Sequence, residues 1–118
     1  MMSYHDWNAL LLGRRNALCA EAMGWRYGAV AGRDICDRWL DRDGQRIVVD
    51  GRELLTWSPC DNRNDTTRMV EAVIRSGKRG LLEAALEALG YTRAESLAAP
   101  ADYIAWACCE ALTATDDR

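Results

Sequence analysis

Histidine is nearly missing from this chain, and its scarcity removes the commonest site chemistry first. His5 stands alone. One imidazole makes no histidine pair for a metal, and no cysteine stands at zinc-finger spacing from it, so His5 is read as an exposed residue. Five cysteines are present, Cys19, Cys36, Cys60, Cys108 and Cys109, but no Cys-x-x-Cys, and their odd number and irregular spacing make no disulfide framework. No basic leader precedes an apolar segment, and no run approaches the roughly 18 apolar residues of a membrane span. These absences point to a soluble cytoplasmic protein with no membrane partner. Lysine is scarce too, since every basic residue except Lys78 is arginine. Arginine can grip carboxylate or phosphate with its planar fork, but the arginines form no cluster. Glycine is present without a phosphate loop: Gly28, Gly32, Gly44 and Gly51 lack dinucleotide and Walker spacings and are read as turn residues.

What is present describes an ordinary folded domain. With 118 residues, 49% of them hydrophobic and 28% charged, the chain can bury one real core as a single domain, residues 1–118. The formal charge of -3 comes from 15 basic and 18 acidic residues with the signs interleaved. That lacks the basic footprint of a nucleic-acid binder, and no nucleic-acid partner is expected.

Hydrophobic periodicity divides the chain into helix, strands and helices. Trp7 to Met23 is helix-permissive, capped by Asp6 or Asn8 and ended by Gly24, with Gly13 a place where it could split. From Trp25 to Trp57 the period shifts toward two, with turn signals at Gly28, Gly32, Asp43-Gly44 and Asp50-Gly51. Pro59 then ends the extended stretch at Trp57 or Ser58, and Asn64 or Asp65 is the expected cap of a helix carrying Met69, Val70, Val73 and Ile74. Gly77 stops it. A further helix holds Leu81, Leu82, Ala85, Leu86 and Leu89 and stops at Gly90; Tyr91 to Ala99 connects, with Thr92 and Glu95 at capping-box spacing. Pro100 takes the first-turn position of a last helix striped by Ile104, Ala105, Cys108 and Leu112, and residues 113–118 are expected to fray. The expected fold is α/β of the α+β kind: a helix-sheet-helix sandwich with one small antiparallel sheet of three to four strands and three to four helices.

Several short segments together resemble the phage ABA sandwich domain family. They are Leu18-Cys19-Ala20-Glu21-Ala22-Met23-Gly24-Trp25, Trp57-Ser58-Pro59 with Asp61, Asn64 and Asp65, Val70-Glu71, and Pro100 through Leu112 with its Ile-Ala-x-Ala-Cys pattern. The resemblance implies a helix-sheet-helix sandwich encoded by phages and prophages, and transfers no catalytic residue. One segment departs from it: Lys78 to Leu89 reads as helix where the family usually has further strands.

The acidic residues Asp34, Asp37, Asp41 and Asp43 invite a calcium loop, but in the register of Asp41-x-Asp43-Gly44 the first ligand would be Trp39 and the last Asp50 in place of glutamate. A solvated hairpin is the better reading. Cys60 or Asp61 as a hydrolase nucleophile would need a base that the sequence does not show. The remaining candidate is the polar loop before the central helix, where Asp61, Asn62, Arg63, Asn64 and Asp65 could bind a partner or an anion, or could simply cap and turn the backbone. No cofactor is expected. The leading expectation is a non-enzymatic phage or prophage accessory protein that binds a host protein; the alternative is sequestration of a small anion such as a nucleotide. Because the last helix is apolar on nearly every side, a homodimer through Ala107 and Cys109 is also expected.

Overall fold

The computed structural model describes residues 2–28, 38–49, 51–54, 56–92, 94–95 and 98–114. The turn at Gly32, Arg33, Asp34, Cys36, Asp37 and the tail beyond residue 114 lie outside them. The fold is α+β. In chain order come α1 (Tyr4–Asn8), α2 (Leu12–Ala22), β1 (Arg26–Gly28), β2 (Arg38–Leu40), β3 (Val48–Val49), β4 (Arg52–Glu53), α3 (Arg63–Arg75), α4 (Arg79–Ala88) and α5 (Ala101–Thr113). Among the described residues no helix is long and apolar enough to cross a membrane.

Among the described residues four strands form two antiparallel pairs, β1 with β2 and β3 with β4, where one sheet was expected. A bridge from Leu40 to Arg46 leads from the first hairpin toward the second. The turn it closes is wider than a two-residue Asp-Gly hairpin, because the Asp41 carboxylate accepts from the amides of Asp43 and Gln45 at 2.9 and 3.0 Å. That gives Asp41 a turn-building task in place of a calcium one. The second hairpin keeps the two-residue form, with Val49 opposite Arg52 and Gly51 at φ 79°.

The expected first helix is two pieces. Ser3, not Asp6 or Asn8, caps α1 by accepting from the Asp6 amide, and α2 begins at Leu12, ahead of Gly13. Gly24, Gly77 and Gly90 follow helix ends with φ of 81°, 71° and 95°, conformations that cost a side-chain-bearing residue more than glycine. Pro100 sits one residue earlier than expected, as the N-cap of α5. The only lysine in the sequence closes that helix: Lys78 Nζ donates to the carbonyls of Leu112 and Ala114 at 3.4 and 3.1 Å, placing a cation at the negative end of the dipole.

The helices take α5 as their common support. It packs against α2, α3 and α4 and touches α1. Its alanines and cysteines are small enough to admit neighbours on several sides, and residues 104–109 with Ala111 are all buried. This corrects the expected dimer surface. Ala107 is 0% and Cys109 7% exposed in the single chain, so the cover for the all-round apolar helix is intramolecular. Trp7, Met69, Val73, Leu82 and Leu86 complete the same core, with Trp25 and Trp57 packed edge to face at 4.6 Å.

Candidate functional site

Pro59 and the start of α3 fold the loop from Ser58 to Asn62 into a tight structure. The Asn62 amide donates to the Ser58 carbonyl at 2.8 Å and the Asp61 amide to the same oxygen at 3.2 Å. Asn62 is the cap of α3, accepting from Asn64 and Asp65 amides at 2.9 and 3.3 Å, so the cap lies two or three residues earlier than expected. Asp65 is free of that duty because its carboxylate is used elsewhere: it accepts from the Ser58 amide at 2.9 Å and pairs with Arg68 at 2.6 Å. Its side chain is only 5% exposed. Thr66 ties the loop from the other side, its hydroxyl donating to the Pro59 and Asn62 carbonyls. Asn16 on α2 adds a further clamp, donating to Ser58 Oγ at 3.1 Å and accepting from the Cys60 amide at 3.2 Å.

The loop forms one wall of an open cleft of about 610 Å³. Asn62, Asn64, Asp65 and Arg68 stand on that side; the second hairpin and the chain leaving it contribute Val49, Arg52, Glu53, Leu54 and Thr56. The structure therefore divides the five residues singled out from the sequence. Asn62, Asn64 and Asp65 meet in the cleft. Arg63 lines a separate apolar hollow of about 380 Å³ with Thr66, Thr67, Val70 and Ile104, and Asp61 accepts from Ser58 Oγ.

Arg52, Arg68 and Thr56 were not expected there. Arg68 was recoverable, because it follows Asp65 by one helical turn; nothing local marks Arg52 or Thr56, which the second hairpin brings back. Among the described residues Arg52 has no carboxylate partner, whereas Arg68 is held by Asp65. The first-turn amides of Asn64 and Asp65 are already taken by Asn62, so an incoming anion would meet guanidinium groups before open backbone.

The cleft presents amide, hydroxyl, carboxylate and guanidinium groups from Asn62, Asn64, Thr56, Asp65, Glu53, Arg52 and Arg68. Cys60 is buried, with Asn16 on its amide and Cys19 beside its thiol, and Asp61 is engaged by Ser58, so neither has a described base as neighbour. Among the described residues no group of three or more histidine, cysteine or acidic side chains could hold a metal ion. Compared with family models, curated proteins and solved structures, the chain matches none.

Removing the cap tests how far the site depends on it. Asn62→Ala should cost about 1 kcal/mol in urea unfolding, while Asn62→Gly should cost only a few tenths. Equal losses in the two variants would mean that the Asn62 side chain is not the operative cap.

Proposed function

We propose that this chain is a small non-enzymatic binding protein of the phage or prophage accessory kind, and that it engages a host protein through the cleft at the head of α3. The resemblance to phage ABA sandwich domains motivates the class. The observation that carries the site is Arg52: an exposed guanidinium without a described carboxylate partner, lining a cleft whose opposite wall is fixed by Asn16, Asn62, Asp65 and Thr66. A partner that places a carboxylate against Arg52, with amide or hydroxyl groups toward Asn64 and Thr56, fits its donors and acceptors. Pre-ordering of the wall reduces the entropy lost on binding.

The test is capture of a specific partner from bacterial lysate by immobilised wild-type chain, repeated with Arg52→Glu. Capture should fall by about tenfold or more in the variant, since reversing a charge replaces attraction by repulsion. Undiminished capture by Arg52→Glu would remove the cleft from the proposal, and no specific partner would count against the class.

The two guanidinium groups in one cleft favour a second reading, a small anion such as a nucleotide. Occupied amides oppose it. A nucleotide at one hundred times its dissociation constant should stabilise the chain by about 2.7 kcal/mol, so a panel without thermal shifts would eliminate this reading.

A further inference from the structure

Three thiols from three parts of the chain meet inside the core, and none of them lines the cleft. Cys109 on α5 and Cys19 on α2 place their sulfurs 3.4 Å apart, and Cys60 is a close neighbour of Cys19. All three residues are buried. Only Cys109 of the three lines a hollow of about 260 Å³, walled by Met2, Trp7, Leu18, Ala22 and Thr113 with carboxylates from Glu21 and Glu110. From this arrangement we infer that Cys109 is an oxidation site for hydrogen peroxide, with Cys19 as the thiol that closes a disulfide between α2 and α5.

The hollow provides room for a molecule as small as peroxide against Cys109, and the Cys19 sulfur lies 3.4 Å from that of Cys109. Closure from 3.4 Å to a bonded disulfide requires the sulfurs to approach by about 1.3 Å. In the first step the Cys109 thiolate attacks one peroxide oxygen; the O–O bond breaks, hydroxide leaves, and a sulfenic acid remains. Cys19 then attacks the oxidised sulfur, the S–S bond forms, the S–O bond breaks, and the departing hydroxide takes the Cys19 proton as water. Two thiols lose two electrons in all, and one peroxide becomes two waters.

Order follows from surroundings. Hydrogen bonds to Cys109 and Cys60, followed by burial, hold the Cys19 thiol protonated far above the ordinary thiol range, which suits the second role better than the first. Cys108, the neighbour of Cys109 along α5, is also held protonated, by burial and then by Cys109, and does not line the hollow.

Reduced full-length chain treated with hydrogen peroxide, quenched in denaturant with N-ethylmaleimide and mapped by mass spectrometry tests the assignment. The expected product has lost two hydrogens, carries label on three of its five cysteines and yields a Cys19–Cys109 linked peptide. Its Tm should exceed that of the reduced chain by roughly 5 °C or more, reversibly with dithiothreitol. In Cys19→Ser, dimedone should trap the sulfenic acid on Cys109. Should that variant fail to fold, comparison of native with urea-unfolded wild type still decides: the native chain should give one linkage and the unfolded chain a mixture. A different native pair, the same mixture in both states, or unlinked sulfinic acid on Cys109 would overturn the inference.

Discussion

Asp102→Ala should lower unfolding free energy by about 3 kcal/mol and Tm by roughly 10 °C, although Asp102 is neither in the core proper nor in the cleft. Its carboxylate gathers three donors from the start of the chain: Tyr4 Oη at 2.7 Å, Trp7 Nε1 at 3.1 Å and Arg15 Nη1 at 2.7 Å. Both members of the Arg15–Asp102 pair are only 17% exposed, so removing the carboxylate leaves a largely dehydrated guanidinium and an indole N–H without their acceptor. Arg15 Nε is already buried without a partner, which leaves little slack there. Asp102→Asn should fall between, retaining a carbonyl acceptor but no charge. Equilibrium urea unfolding measures all three forms, and a loss under about 0.5 kcal/mol for Asp102→Ala would show that the cluster contributes little.

The same cluster sets an alkaline limit. Burial, followed by the hydrogen bond and negative charge of Asp102, pushes the Tyr4 phenol well above its ordinary range. A phenol whose pKa is higher folded than unfolded favours the fold fully below the unfolded value of about 10 and loses that contribution as pH rises beyond it. Stability should therefore decline above about pH 10, and less steeply in Tyr4→Phe.

Local signals were legible in the sequence where the chain answers to itself. Gly24, Gly77 and Gly90 end helices because the left-handed turn is a property of a few consecutive residues, and Met69 and Val73 are buried because helical spacing is local as well. The cap of α3 moved to Asn62 for a reason visible only after folding: Asp65 is claimed by Ser58 and Arg68. The Asp102 cluster was invisible because its donors lie 87 to 98 residues earlier in the chain. The cleft was half visible. Its loop announced itself through Pro59 and a run of capping residues, while Arg52 came from a hairpin whose path the loop does not encode. For α5, apolar residues on every side correctly implied cover on every side, but composition cannot distinguish a second copy from the chain's own helices.

That distinction yields a second large effect, from a substitution that would be benign on a dissociable surface. Ala107→Glu should cost 4 kcal/mol or more at neutral pH, about as much as an unpaired buried charge ordinarily costs, and leave much of the chain unfolded at 37 °C. Ala107 has no exposure in the single chain, and α5 lies against α2, α3 and α4, so the introduced carboxylate meets packed apolar neighbours. Burial raises a glutamate pKa above its unfolded value of about 4.3. The ionisation part of the penalty is absent below that value, grows as pH rises toward the folded pKa, and is constant above it. Acidification from pH 7 to 5 should therefore return part of the lost stability, relative to wild type at each pH, while an overpacking cost from the added atoms remains. Ala107→Gln separates the parts, since it adds similar volume without an ionisable group and should show no such relative recovery. Circular dichroism during urea titration at both pH values gives the comparison. A folded, monomeric Ala107→Glu chain with wild-type stability would mean that α5 is not enclosed by its own chain, and would return Ala107 to a surface available to a second copy.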